Sequence, residues 1–401
     1  MGRIARAVKL LGVMIAAMAT LFAGAPPASA ALNNTPDPTW MVTGAVWSII
    51  RYGDFIYVGG QFDKVRETPP GVPGDSFEAN GLARFDAVTG VGDPTWTPDI
   101  SWGSFSTTVK PVVHALAAVG GKIFVGGQFG ASDGVARTNF AAVDAATGAL
   151  DPGVVASVGV LGSPSILAMA GSADRVYVGG AFKSVDEVAR KHVAAFGVDG
   201  TLDPVWKPKA DKRVFSMAWD CTGSSLFVGG QFRRAAGSGA AYETRETVAR
   251  FDPATGALLP WSIPIGTIEA NQKAYDMAAT CSTLGIGYGG RNYAAAFDLT
   301  DDVGEQIWRD STAGNVQTVA IMGDQLIIGG HFSSVLKIRR IRIASVSLSN
   351  GAVEPNWHPD VEGSFLGPWD LLVDGSHLYV GGQFDTVGGV PQFFFARFTD
   401  V

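Results

Sequence analysis

One phrase recurs seven times along this 401-residue chain: two or three apolar residues, then Gly-Gly, then in most copies x-Phe. The first copy is Ile56-Tyr57-Val58-Gly59-Gly60-Gln61-Phe62. The others centre on Gly126-Gly127, Gly179-Gly180, Gly229-Gly230, Gly289-Gly290, Gly329-Gly330 and Gly381-Gly382, at spacings of 67, 53, 50, 60, 40 and 52 residues. Each copy is short, rich in β-branched or aromatic residues and bounded by turn formers, which is the signature of a strand. Repetition at this period means units that bury their faces by stacking on one another.

Three further phrases keep step with the first. A short apolar run lies about ten residues before each Gly-Gly, as in Val46-Trp47-Ser48-Ile49 and Val113-His114-Ala115-Leu116. Ala-x-Phe or Ala-x-Val follows it, as in Ala83 to Phe85 and Ala344 to Val346. Last comes a phrase like Asp-Pro-x-Trp, ending at Trp96, Trp206, Trp261, Trp308 and Trp357. In order these are strands A, B (Gly-Gly), C and D. Four antiparallel strands per unit predict an all-β, seven-bladed β-propeller. The chain stops after a C phrase at Phe398, while Asp37-Pro38-Thr39-Trp40 is a D phrase with no C before it. The N-terminal segment is therefore expected to complete the last blade, and closure of this kind hides sheet edges. Gly-Gly is expected to admit a neighbouring sheet, the D tryptophan to fill the wider gap between blades, and Asp-x-x-Thr-Gly (Asp86 to Gly90, Asp144 to Gly148, Asp252 to Gly256) to form the C–D turn.

The order of these phrases resembles the kelch repeat superfamily. The Val-Gly-Gly-x-Phe form is similar to propeller repeats of secreted actinobacterial proteins and of fungal cell-polarity surface proteins, over roughly residues 36–401. That resemblance implies an extracellular binding or scaffold role with no defined reaction.

The first 30 residues read as a secretory signal peptide. Arg3, Arg6 and Lys9 precede an apolar run from Leu10 to Ala25, and Ala28-Ser29-Ala30 supplies a small-x-small cleavage site. Residues 31–401 then form the propeller domain, about 53 residues per unit. Losing three positive charges takes the net charge from -7 to -10. A nucleic-acid partner is excluded on that balance, and no second apolar stretch is long enough to span a membrane.

Chemistry-bearing residues are scattered. Cys221 and Cys281 occupy the A–B turn of adjacent units 4 and 5. In an exported chain an even pair reads as a disulfide; two free thiols follow instead if the sheets diverge beyond the ~7 Å Cα reach. His114, His192, His331, His358 and His377 fall in different units without metal-site spacing, so neither a metal nor a cofactor is expected. Gly130-Ala131-Ser132-Asp133-Gly134 matches a nucleophile elbow only formally, since no helix follows it.

Long loops carry the functional expectation. B–C and D–A loops share one face. Arg66 to Gly81 contributes Phe77, Thr97 to Pro111 contributes Trp102 and Phe105, and Arg233 to Thr247 contributes Tyr242, Glu243 and Arg245. These six are the ligand-face candidates of a secreted, non-catalytic binding or scaffold module for an extracellular protein or polysaccharide. The alternative is a secreted redox or glycan-processing enzyme at the mouth of the central channel, with Asp276, Asp370 and His114 as its candidates; no catalytic set is assigned.

Overall fold

The computed structural model describes residues 32–104, 110–163 and 166–400. The signal segment and Phe105 lie outside the described residues. Within them the chain is all-β, with no helix.

Every glycine-rich phrase lies on the central strand of an antiparallel sheet. In sheet 1 strand A is Ala45–Tyr52, strand B Phe55–Gln61 and strand C Leu82–Asp86. The other A strands are Val112–Val119, Ile166–Gly171, Val214–Trp219, Lys273–Ala279, Val316–Met322 and Gly367–Asp374. Each packs on the A strand of the next sheet, and Gly367–Asp374 packs on Ala45–Tyr52.

Among the described residues the expected fourth strand forms only in sheet 5, as Gln306–Ser311. In sheets 1–4 and 6 the D phrase makes a single bridge to strand C, as between Phe85 and Gly92 or Val346 and Val353. The cause is proline. Pro94, Pro152, Pro204, Pro260 and Pro355 each remove a ladder donor, and the Asp before three of them turns the chain by accepting from the backbone N–H of Thr95, Gly153 or Val205. The sheet 5 phrase, Glu305-Gln306-Ile307-Trp308, has no proline and continues as a strand.

The D tryptophans bridge neighbouring sheets. Trp96, Trp206 and Trp261 are fully buried in the core of the following sheet. Their indole N–H groups donate to the carbonyls of Asp144, Asp252 and Asp298 there. At the C–D turns Asp86 Oδ1 accepts from Val88 N, Thr89 N and Thr89 Oγ1, and Gly90 follows at φ +72°.

The two glycines of the repeat answer different demands. A Cβ on the first would strike a side chain of the next sheet: Val113 from Gly59, Ile166 from Gly126, Val214 from Gly179 and Val46 from Gly381. A Cβ on the second would strike a carbonyl at or just before strand A of its own sheet, Ala45 O from Gly60 and Asn315 O from Gly330. Close approach of a neighbour therefore explains only the first. The second lies opposite a bulge that every A strand carries at the same place, between Val46 and Ser48 in sheet 1, and in sheet 5 Tyr288 occupies that position.

Register also relocates the fifth copy. Ala274 and Asp276 face Tyr288 and Gly287, as Val46 and Ser48 face Gly60 and Gly59. The equivalent pair is Gly287-Tyr288 rather than Gly289-Gly290, and the spacings of 60 and 40 become 58 and 42.

At the ends of the chain Leu32 bridges to Asp400, and Asp37 N donates to Arg397 O at 2.8 Å. Trp357 Nε1 donates to Asn33 O, the role other D tryptophans fill with a C–D turn carbonyl.

Candidate functional site

Connectors entering the A strands pair with the B–C hairpins and build a shelf of small sheets on one face. Met41–Val42 pairs with Lys64–Arg66, Ile100–Ser101 with Ala131–Ser132, Lys209–Ala210 with Arg234–Ala236, and Val361–Glu362 with Thr386–Val387. The five predicted loop residues that are described lie on or under this shelf, in two separate groups. Phe77 is half-buried, its ring 6.1 Å from Trp40, and acts as a lid on the core. Trp102, expected at the surface, is only 5% exposed, because the strand before it draws it beneath the second hairpin.

On the fourth hairpin, Tyr242 is half-buried between two cations: Lys209 Nζ stands 5.3 Å and the Arg234 guanidinium 5.4 Å from its ring centre. Asp211 accepts from Arg234 Nε at 3.1 Å. Glu243 is exposed and pairs with Arg245 at 3.2 Å. Arg245 is 8% exposed and donates to the Thr244 and Leu259 carbonyls. Arg137, Arg190 and Arg340 repeat that arrangement three residues before their own C strands. Arg245 is thus a repeated brace inside the fold. Its recurrence was legible in the sequence.

Cys221 and Cys281 form a disulfide between the A–B turns of sheets 4 and 5, their Cα atoms 5.0 Å apart. Among the described residues no group of His, Cys, Asp and Glu is placed to hold a metal ion.

A second arrangement lies where the A strands meet. The bulge leaves one residue per sheet out of the ladder: Trp47, His114, Leu167, Phe215, Tyr275, Gln317 and Trp369. All seven line one cavity of about 210 Å³. Trp47 contacts Trp369 at 4.5 Å and His114 at 5.5 Å between ring centres, and Phe215 meets Tyr275 at 5.3 Å.

In sheets 1, 5 and 7 the next residue in the strand accepts a hydrogen bond from the neighbouring sheet. Ser48 Oγ accepts from Leu116 N, Asp276 Oδ2 from Val319 N at 2.8 Å and Thr318 Oγ1 at 3.0 Å, and Asp370 Oδ2 from Ile49 N. Burial pushes Asp276 up to about 6, against the pull of the Val319 and Met277 amides and the Thr318 hydroxyl. Asp370 is raised well above the ordinary carboxylate range by burial and then by the charge of Asp276. Burial takes His114 down to about 4, so its imidazole is neutral at ordinary pH. His114, Asp276 and Asp370, scattered in sequence, share this one cavity. Apart from His114, the bulged residues escaped the sequence reading because their identities differ, although six of the seven lie twelve residues before the first glycine of their pair.

No family model matches the chain, and no curated protein matches it. Solved structures do. The WD40 β-propeller domain of Doa1 superposes with a TM-score of 0.56 at 9% identity, over 92% of this chain and 97% of that one. The fold is a β-propeller. A second similar structure, U3-55K, gives a TM-score of 0.54 at 9% identity, over 91% of this chain and all of the other. At such identity the likeness carries the propeller architecture alone. Neither the kelch superfamily nor the actinobacterial repeats are among these two similar structures. Among the described residues no helix of the propeller is long and apolar enough to cross a membrane.

Proposed function

We propose that this propeller has seven blades in a closed ring, is exported, and is a non-catalytic module that grips an extracellular protein or polysaccharide on its B–C/D–A face. Support for the ring is that each A strand packs on the next and the last packs on the first. The N-terminal segment lies against the last C strand as a D phrase would. Export rests on the leader, and the disulfide accords with an oxidising compartment.

The observation that carries the binding reading is the shelf of hairpins. It is a rigid platform presenting, at its fourth hairpin, an aromatic ring between two cations beside an exposed carboxylate. Amphipathic aromatics flanked by arginine are what recognition surfaces favour. The test is retention of the mature protein on immobilised polysaccharides and on a panel of purified surface proteins. Tyr242→Ala with Arg234→Ala abolishes capture while the circular dichroism stays unchanged. Capture at the wild-type level refutes the assignment.

A further inference from the structure

We infer that the central cavity is a binding site for one neutral, polyhydroxylated ligand the size of a single sugar ring. The inference does not rest on the loop-face reading. Its first ground is construction. Every sheet delivers one side chain to the cavity through the same bulge, and five of the seven are aromatic or imidazole rings. A bulge aims a side chain away from the ladder, and repeated around an axis it builds a common lining.

The second ground is an unmet hydrogen-bonding demand. Gln317 is 4% exposed, and its Nε2 has no partner within the protein, although its Oε1 meets His331 Nδ1 at 3.2 Å. The indole N–H groups of Trp47 and Trp369 are likewise buried without a partner. Buried donors are ordinarily satisfied, so three unmet ones on side chains that line one cavity are short of acceptor oxygens.

The third ground is the opposite capacity on the same lining. Among the described residues the carboxyls of Asp276 and Asp370 accept only from amides and the Thr318 hydroxyl, and neither has a cationic partner there. Their remaining lone pairs suit donors from a ligand. A hydroxyl both donates and accepts, which matches donors and carboxyls set side by side. A sugar also offers C–H faces to aromatic rings, and a cavity of about 210 Å³ limits it to one ring. An organic cation would suit the carboxyls and the aromatic faces but leave the three N–H donors unpaired.

The test uses the mature, disulfide-bonded protein. Methyl glycosides of glucose, galactose, mannose and N-acetylglucosamine are titrated one at a time by calorimetry and by tryptophan fluorescence, with tetramethylammonium chloride as the cationic probe. Saturable one-to-one binding of at least one glycoside is expected. It weakens about tenfold in Trp369→Phe and in Gln317→Leu, each of which removes a donor and keeps a side chain of similar bulk. It is unchanged in Tyr242→Ala, so failure here is distinguishable from failure of the loop-face reading. Binding of tetramethylammonium alone, no saturable response to any glycoside, or affinity that survives both cavity substitutions overturns the inference.

Discussion

The Asp37 carboxylate grips the Arg397 guanidinium, Oδ2 to Nε 2.9 Å, across 360 residues of chain. The pair copies Asp93 and Arg84 in sheet 1, where Oδ2 and Nε are 2.8 Å apart. In both, the arginine reaches on to carbonyls of the next C–D turn, Val88 for Arg397 and Ala145 for Arg84. A local contact in one sheet is thus reproduced by the two ends of the chain.

Removing that grip destabilises the whole domain. Asp37→Ala leaves a nearly buried guanidinium without its counter-ion and is expected to cost about 2 kcal/mol. Chemical denaturation reads this as a lower midpoint with an unchanged slope. Loss of only the residues near position 37, with the rest protected in hydrogen exchange, would show that the ends do not hold the sheets together.

Acid should stabilise this protein before it denatures it. Asp310 is 6% exposed, its Oδ2 has no partner, and burial pushes it up to about 6. Asp276 is raised to about 6 and Asp370 higher. A carboxyl whose folded pKa exceeds its unfolded value stabilises below the unfolded value, and that contribution is lost as pH rises through the folded one. Melting temperature therefore falls from about pH 4 to pH 7 through these groups. Asp310→Asn recovers on the order of 2 kcal/mol at pH 7 and little at pH 4. An equal effect at both pH values refutes the assignment.

The sixth B–C hairpin turns through Leu336 and Lys337 at φ +48° and +69°. Equivalent turns use Asp133-Gly134 and Gly388-Gly389. Leu336→Asn with Lys337→Gly relieves two left-handed non-glycine residues and is expected to gain about 1 kcal/mol. Thermal unfolding checks the sign.

The Cys221–Cys281 bond closes a 60-residue separation. Replacing both cysteines by serine is expected to cost about 3 kcal/mol, mainly through a freer unfolded chain. Glycoside affinity in the cavity should not change, because the bond joins the A–B turns rather than the bulges.

What was legible in the sequence was what repetition makes redundant. Gly-Gly, the D tryptophans and the Asp-x-x-Thr-Gly turns recur because each meets one steric or hydrogen-bonding demand in sheet after sheet. The fourth strand was over-read because the proline in Asp-Pro-x-Trp counts against a ladder as firmly as the tryptophan counts for burial. Arg245 sits in a loop, where a charge suggests solvent, yet three other backbone-bound arginines, Arg137, Arg190 and Arg340, share its place. The cavity was least legible. A bulge fixes where a side chain points and leaves its identity free, so Trp47, Leu167 and Gln317 share a position with no common chemistry.

The terminal contacts also set an order of events. Leu32 and Asp37 precede their partners Asp400 and Arg397 by some 360 positions, so they are synthesised well before them. Until the strand with Arg397 has been made, Leu32 and Asp37 lack these partners and the edge they will cover does not yet exist. A segment left unpaired is a surface on which unfinished chains associate. Carriage of the chain in an unfolded state, with assembly delayed until all of it has arrived, would remove that interval of exposure.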